Sequence, residues 1–261
     1  MSLLITVDVG NTNLVMGVFD LDRGPDAPAI HAWRLATTRE RTADEYGLAT
    51  LELMRHAGLD LTLVKDVVIA NVVPPLHPVL AAWARRYFQV EPFWIEPGIK
   101  TGLKILIDNP NELGADRIVN VVAGLERHGA PLIAIDFGTA TTFDVVNERR
   151  EYLGGIILPG IKIAAEALFQ RASRLPRVEI ARPERLVGRN TVQAMQSGIF
   201  YGYVGQVNGI LERLLKEQPG SNVVATGGLA RALAAESRSI HHIEPDLTLD
   251  GLRLLWLKNR G

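Results

Sequence analysis

The sequence predicts an α/β protein of two similar lobes, each a mixed sheet with helices, packed around a cleft. Three observations predict this. A short pattern occurs twice, as Asp8-Val9-Gly10-Asn11-Thr12 and as Asp136-Phe137-Gly138-Thr139-Ala140, in the form Asp, apolar, Gly, small polar, small. Each copy ends an apolar run, opens a hairpin and begins a block of strands followed by helices. No Pro/Gly/Ser-rich linker parts the blocks, so lobes of residues 1–117 and 118–261 should pack closely.

In the first block, the apolar run 3–9 reads as a buried strand, residues 10–13 as a turn and 14–19 as the returning strand. A third strand is expected over 30–35 and a helix over 42–54, with Gly58 just past its end. Residues 67–73 form a strand that Pro74-Pro75 stops; a helix over 77–88 and a short strand over 92–95 follow. Asn109-Pro110-Asn111-Glu112 has the residues of a capped helix start, and that helix, broken at Gly114, should run to about Arg127.

The second block repeats the scheme with strands over 131–136, 141–146 and 152–158, the last ended by Pro159-Gly160. Helices are expected from about Ile161 and from Thr191 towards Lys216. Residues 222–225 read as a strand, Thr226-Gly227-Gly228 as a turn, and 229–236 and 249–256 as helices.

Composition excludes several functions. Basic and acidic residues number 28 and 29, so the basic footprint of a nucleic-acid binder is missing. There is no cysteine, which removes disulfides, thiolate nucleophiles and cysteine-ligated zinc and fits a reducing compartment. The N-terminal run lacks a basic start and soon meets Asp8, so no signal peptide is expected. No uncharged apolar stretch reaches bilayer length, and a cytoplasmic protein without membrane contact is the expectation. The six histidines are scattered or, as His241-His242, adjacent, which does not make a metal set.

The repeated turn carries the chemistry. Glycine lets backbone approach a ligand, successive turn N–H groups form a nest for phosphate oxygens, and a neighbouring carboxylate holds a hydrated cation. One Asp-x-Gly alone reads as a tight turn with a solvated Asp; its duplication at matching places favours a grip on polyphosphate. The phosphate loop Gly-x4-Gly-Lys-Ser/Thr and the Gly-x-Gly-x-x-Gly fingerprint are both missing. Thr226-Gly227-Gly228 leaves room for a flat group such as adenine against backbone, or is a plain strand-to-helix turn. In Gly114-Ala115-Asp116-Arg117, Asp116 has the chemistry of a general base and Arg117 that of an anion clamp, though spacing alone favours a surface pair at a helix start.

Over essentially its whole length the chain resembles the type III pantothenate kinases. The resemblance rests on Asp8 to Asn13, Pro97-Gly98-Ile99-Lys100-Thr101-Gly102, Gly114 to Arg117, Asp136 to Thr142, Gly154-Gly155 with Pro159-Gly160, Asn190-Thr191 leading to Gln196-Ser197-Gly198, and Thr226-Gly227-Gly228. It implies two ribonuclease-H-like (actin-like) lobes and an ATP- and Mg2+-dependent kinase that requires K+ or NH4+. It implies a homodimer acting on pantothenate in the first step of coenzyme A synthesis. Asp8, Val9, Gly10, Asn11, Thr12, Asn13, Leu14 and Val15 then correspond to the first ATP-binding hairpin, with Asp8 near Mg2+ through water. Thr139, Thr226, Gly227 and Gly228 correspond to further ATP contacts and Asp136 to the monovalent-cation ligand. Gly114, Ala115, Asp116, Arg117 and Thr191 correspond to pantothenate contacts, with Asp116 the proton acceptor. Two other readings are a nucleotide-sensing regulator and a related kinase with another small hydroxyl substrate. Asp8, Asp116 and Asp136 speak against the first and the Gly-Ala-Asp-Arg segment against the second.

One position departs from the pattern. Many members have Tyr three residues before the Pro preceding the Gly-Ala-Asp-Arg helix, lining the substrate pocket; here it is Ile107. The loss of one hydrogen bond, on the order of 0.5–1.5 kcal/mol, corresponds to a roughly three- to tenfold higher KM for pantothenate. Ile107→Tyr is therefore expected to lower that KM while leaving kcat and the KM for ATP unchanged. Steady-state kinetics with each substrate varied checks this; a shift in the ATP constant instead would remove Ile107 from the pantothenate pocket.

Overall fold

The computed structural model describes residues 1–260. In chain order the elements are β1 (Leu3–Val9), β2 (Asn13–Asp20), β3 (His31–Ala36), α1 (Ala43–His56), β4 (Val64–Asn71), α2 (His77–Phe88), β5 (Phe93–Trp94), β6 (Lys104–Ile105) and α3 (Ala115–His128). There follow β7 (Leu132–Phe137), β8 (Ala140–Val146), β9 (Glu151–Pro159), α4 (Ile161–Arg171), α5 (Thr191–Glu217), β10 (Asn222–Thr226), α6 (Ala230–Ala234), β11 (His242–Ile243) and α7 (Leu247–Arg260).

These elements form two compact units. The first holds residues 1–102, 108–123 and the C-terminal segment from 246 onward; the second holds 103–107 and 124–245. The first sheet has the order β3-β2-β1-β4-β5, and the second the order β11-β10-β7-β8-β9-β6. Read from β9, the second runs β9-β8-β7-β10-β11 and repeats the first, with β6 added on β9. In each sheet the first strand is central, antiparallel to the next strand and parallel to the one reached by a helical crossover.

Burial explains the central strands. Leu3, Leu4, Ile5, Thr6 and Val7 are fully buried, as are Leu132, Ile133 and Ile135, which is the near-continuous apolar run of a strand covered on both faces. The helices start on local chemistry. Before α1, Glu45 N–H donates to Thr42 Oγ1 at 3.3 Å and Thr42 N–H to Glu45 Oε2 at 2.7 Å, a reciprocal capping box. Asn190 caps α5 by accepting from Gln193 N–H at 2.9 Å.

Several details differ from the expectations. The cut at residue 117 does not match the compact units, because α7 returns to pack on β1, β2 and β4 of the first sheet. Buried Asp66 anchors it, accepting from Trp256 Nε1 at 2.7 Å and Arg260 Nη1 at 2.8 Å. Residues 110–112 form a separate 3-10 turn and α3 starts only after Gly114. Asn109 accepts from Asn111 N–H at 3.3 Å, and its amide donates to the Glu112 side chain at 2.8 Å, so the reciprocal box does not form. The strand expected over 67–73 lies at Val64–Asn71, and the helix expected over 229–236 is only Ala230–Ala234. The two-residue strands β6 and β11 were not anticipated.

Gly251 of α7 sits against α3. A Cβ there would lie 2.2 Å from the Val119 carbonyl oxygen and 2.7 Å from Val119 Cγ1. Gly251→Ala is expected to destabilise the fold by about 1–3 kcal/mol through overpacking, because a backbone oxygen cannot rotate away. Urea unfolding checks this as a lowered midpoint at unchanged slope; an unchanged midpoint would show that the helices separate freely.

Candidate active site

Each sheet carries a charged residue at the end of its central strand. In the first unit Asp8 pairs with Val15 and Val9 with Leu14, so the hairpin turns over Gly10-Asn11-Thr12. Gly10 N–H donates to Asn13 O at 3.0 Å and closes the turn. Thr37, just past β3, holds it from the side: its N–H donates to Thr12 O at 3.0 Å and its hydroxyl to Gly10 O at 2.7 Å. Asn11 and Thr12 stay exposed at the tip.

In the same unit Gly114 to Arg117 start α3. Arg117 N–H donates to Asp116 Oδ1 at 2.9 Å. A Cβ at Gly114 would lie 2.5 Å from that oxygen, so the carboxylate folds back over a residue that must lack a side chain. Burial raises the pKa of Asp116 above the usual carboxylate value; the Arg117 N–H and guanidinium charge oppose this only in part. The expectation of a surface ion pair at a helix end is thus replaced by a half-buried carboxylate of raised basicity.

In the second unit Asp136 pairs with Thr142 and Phe137 with Thr141, leaving Gly138-Thr139 as the turn. The parallel neighbour β10 sets Thr226 beside Asp136. Gly227 follows in a left-handed conformation, φ +95°, and a Cβ there would lie 2.7 Å from both Asp136 Oδ1 and the Phe137 carbonyl oxygen. The fold thus brings together Asp136, the Gly138-Thr139 turn and Gly227. Gly160, read in the sequence as a strand terminator and as part of the family motif but not as a site residue, belongs to the same group: its N–H donates to Thr139 O at 3.1 Å, and a Cβ on it would lie 2.2 Å from that oxygen.

Thr191 stands elsewhere in this unit, at the start of α5, on the wall of a cavity of about 480 Å3 between α4 and α5. A second cavity of about 220 Å3 lies beside α6 and includes Leu229, Leu233, Phe200 and Arg182 in its walls. Ile107 follows β6, and its Cγ2 is the nearest atom, at 3.7 Å, to a Cβ built on Gly154. The histidines have structural partners. His241 Nδ1 accepts from Val223 N–H at 3.1 Å, and His242 stacks on His128 with ring centroids 4.0 Å apart. Among the described residues no cluster of three or more His, Asp or Glu side chains could hold a metal ion, and no helix is long and apolar enough to cross a membrane.

Two sheets of matching strand order, with helices and paired Asp-x-Gly hairpins, define an α/β protein of the actin-like kinase fold. Solved structures share that fold: ethanolamine utilization protein EutJ from Carboxydothermus hydrogenoformans at TM-score 0.57 and 12% identity, covering 98% of this chain and 90% of the other, and the inorganic polyphosphate/ATP-glucomannokinase from Arthrobacter sp. strain KM at TM-score 0.51 and 13% identity, covering 99% and 100%.

The chain belongs to the type III pantothenate kinase family, whose model matches residues 4–213. Relatives named type III pantothenate kinase include those of Myxococcus xanthus, 53% identical over 99% of this chain and 100% of the relative, and of Geotalea daltonii, 52% identical over 99% of each.

Proposed function

We propose that the protein transfers the γ-phosphoryl group of ATP to the primary hydroxyl of pantothenate, giving 4'-phosphopantothenate for coenzyme A synthesis. The full-length match to the type III pantothenate kinases carries this reading. A coupled ADP-release assay with and without pantothenate tests it; ADP formed at the same rate without pantothenate would refute it.

The pantothenate oxygen forms a bond to the γ-phosphorus as the bond to the ADP oxygen breaks, so catalysis is positioning and charge neutralisation. Asp116 accepts the hydroxyl proton, and its burial makes it a stronger base than an exposed Asp. Arg117, at the start of α3, supplies positive charge for the pantothenate carboxylate. The two hairpins hold phosphate oxygens: Asp8 to Val15 in the first unit, and Thr139 in the second. The adenine lies in the cavity beside Leu229 and Leu233, which follow the Gly227-Gly228 turn in the chain. Thr191 contributes its hydroxyl to pantothenate.

Asp8 would hold Mg2+ and Asp136 a monovalent cation, K+ or NH4+, and when bound these ions would supply positive charge against the phosphates. The residues fit the second ion: Asp136 Oδ1 and the Phe137 carbonyl oxygen stand together against the Gly227 backbone, giving hard oxygen donors with a single negative charge.

The protein acts as a homodimer through the α4–α5 face. Large apolar side chains are exposed at Ile157, Ile163, Leu168, Leu186, Val187 and Val192, from 40% to 79%. Along α5, Gly198, Gly202 and Gly205 follow helical spacing, and a Cβ on any of them would meet nothing within 4 Å, which lets a second helix come close. A cytoplasmic location agrees with the absence of cysteine.

Asp116→Asn is expected to lower kcat by roughly a hundredfold or more while ATP binding persists. Since only the ionised carboxylate accepts the proton, wild-type kcat/KM should fall as pH drops through the raised pKa. The acid limb then lies above the ordinary Asp value of 3.8. Near wild-type turnover of the variant would show that another group is the base. Activity in sodium buffer should be low and rise with potassium or ammonium, and Asp136→Ala should abolish that response; equal rates across these salts would remove the cation from the mechanism.

A further inference from the structure

Tyr203 on α5 is buried, 4% exposed, and its hydroxyl is hydrogen-bonded to the hydroxyl of Thr141, itself 1% exposed. Thr141 stands on β8 two residues after Thr139, opposite Phe137. Gly160, one residue before Ile161, donates its N–H to the Thr139 carbonyl and approaches it too closely for any side chain. The phenol therefore anchors one flank of the Gly138-Thr139 turn, β8 through Thr141, while Gly160 at the start of α4 ties the turn from the other side. The cavity of about 480 Å3 between α4 and α5 borders Tyr203, so close packing does not replace this pin on that side.

We propose that Tyr203, through Thr141, is a positioning residue that sets the Gly138-Thr139 turn for binding the phosphates of ATP. The proposal rests on the reading of that turn as a phosphate-binding hairpin. Tyr203→Phe keeps the ring and deletes the pin. The turn then samples conformations that do not bind nucleotide, which weakens ATP and leaves pantothenate alone.

The test measures KM for each substrate, kcat and direct Mg-ADP affinity for Tyr203→Phe, Thr141→Val, their double variant, Thr141→Ser and Thr139→Val, each with a thermal unfolding curve. Tyr203→Phe and Thr141→Val should each raise the KM for ATP and the Kd for Mg-ADP about three- to tenfold, the scale of one hydrogen bond, with the KM for pantothenate within about twofold. The double variant should be no worse than the poorer single one, since both remove the same bond. Thr141→Ser, which retains a hydroxyl, should bind ATP as the wild type does. Unchanged nucleotide constants in Tyr203→Phe, with Thr139→Val impaired, overturn the proposal alone. A Thr139→Val variant with normal ATP constants overturns the hairpin reading and this proposal with it. Equal weakening of both substrates alongside a lowered unfolding temperature also overturns it, because that marks a general structural role.

Discussion

The burial of each central strand governs where this protein can carry charge. β1 and β7 are flanked on both edges by other strands and covered on both faces, so their middle residues must be apolar or, like Thr6, find a buried partner; Thr6 donates to Gly17 O. A carboxylate in that interior would lose several kcal/mol of hydration. Asp8 and Asp136 escape this by sitting near the carboxyl ends of their strands, where the antiparallel hairpin turns back and the parallel neighbour has nearly ended. In open α/β sheets that end, where neighbouring connections diverge, is where ligands gather. The same demand for burial that makes the strand thus delivers its only charge to the sheet's open edge.

Glycine then decides how near the backbone comes to that charge. The second unit uses three glycines in one small region. Gly138 makes the turn, Gly227 lets its backbone pack directly against Asp136 Oδ1 and the Phe137 carbonyl, and Gly160 brings the start of α4 onto the turn. Each is required by a separate contact, and together they build a concave surface of backbone and carboxylate oxygens. The first unit has a simpler turn, tied down by Thr37 from the neighbouring strand end. Equivalent folds have been elaborated unequally.

Much of this was legible in the residues. The long apolar strands, the repeated Asp-x-Gly turns and the helices from Thr42 and Thr191 followed from periodicity and capping chemistry. What was not legible depended on partners remote in sequence. Two-residue strands such as β6 and β11 have no period to read. An amphipathic pattern shows that α7 buries a face, but not that Asp66, on the fourth strand, is waiting for Trp256 and Arg260. The gathering of Asp136 and Gly227 needs the parallel register that sets Thr226 beside Asp136. Asn109 and Glu112 carried the letters of a capping box, yet Gly114 ended the helix they would have opened, and the two side chains bonded each other.

Asp116 illustrates how opposed local forces set the basicity of a carboxylate. Its place in the first turn of α3 and the Arg117 N–H both favour the ionised carboxylate. Taken alone they would give a weak base, saturated with stabilising partners. Burial acts against them and is the larger influence, so the proton affinity rises. The helix start favours the ionised carboxylate, while desolvation raises its proton affinity. Gly114 permits both, since any side chain there would displace the Asp116 oxygen that faces it. The Gly-Ala-Asp-Arg segment is therefore a steric and electrostatic unit: the glycine gives room, the helix start gives charge, and burial sets the basicity.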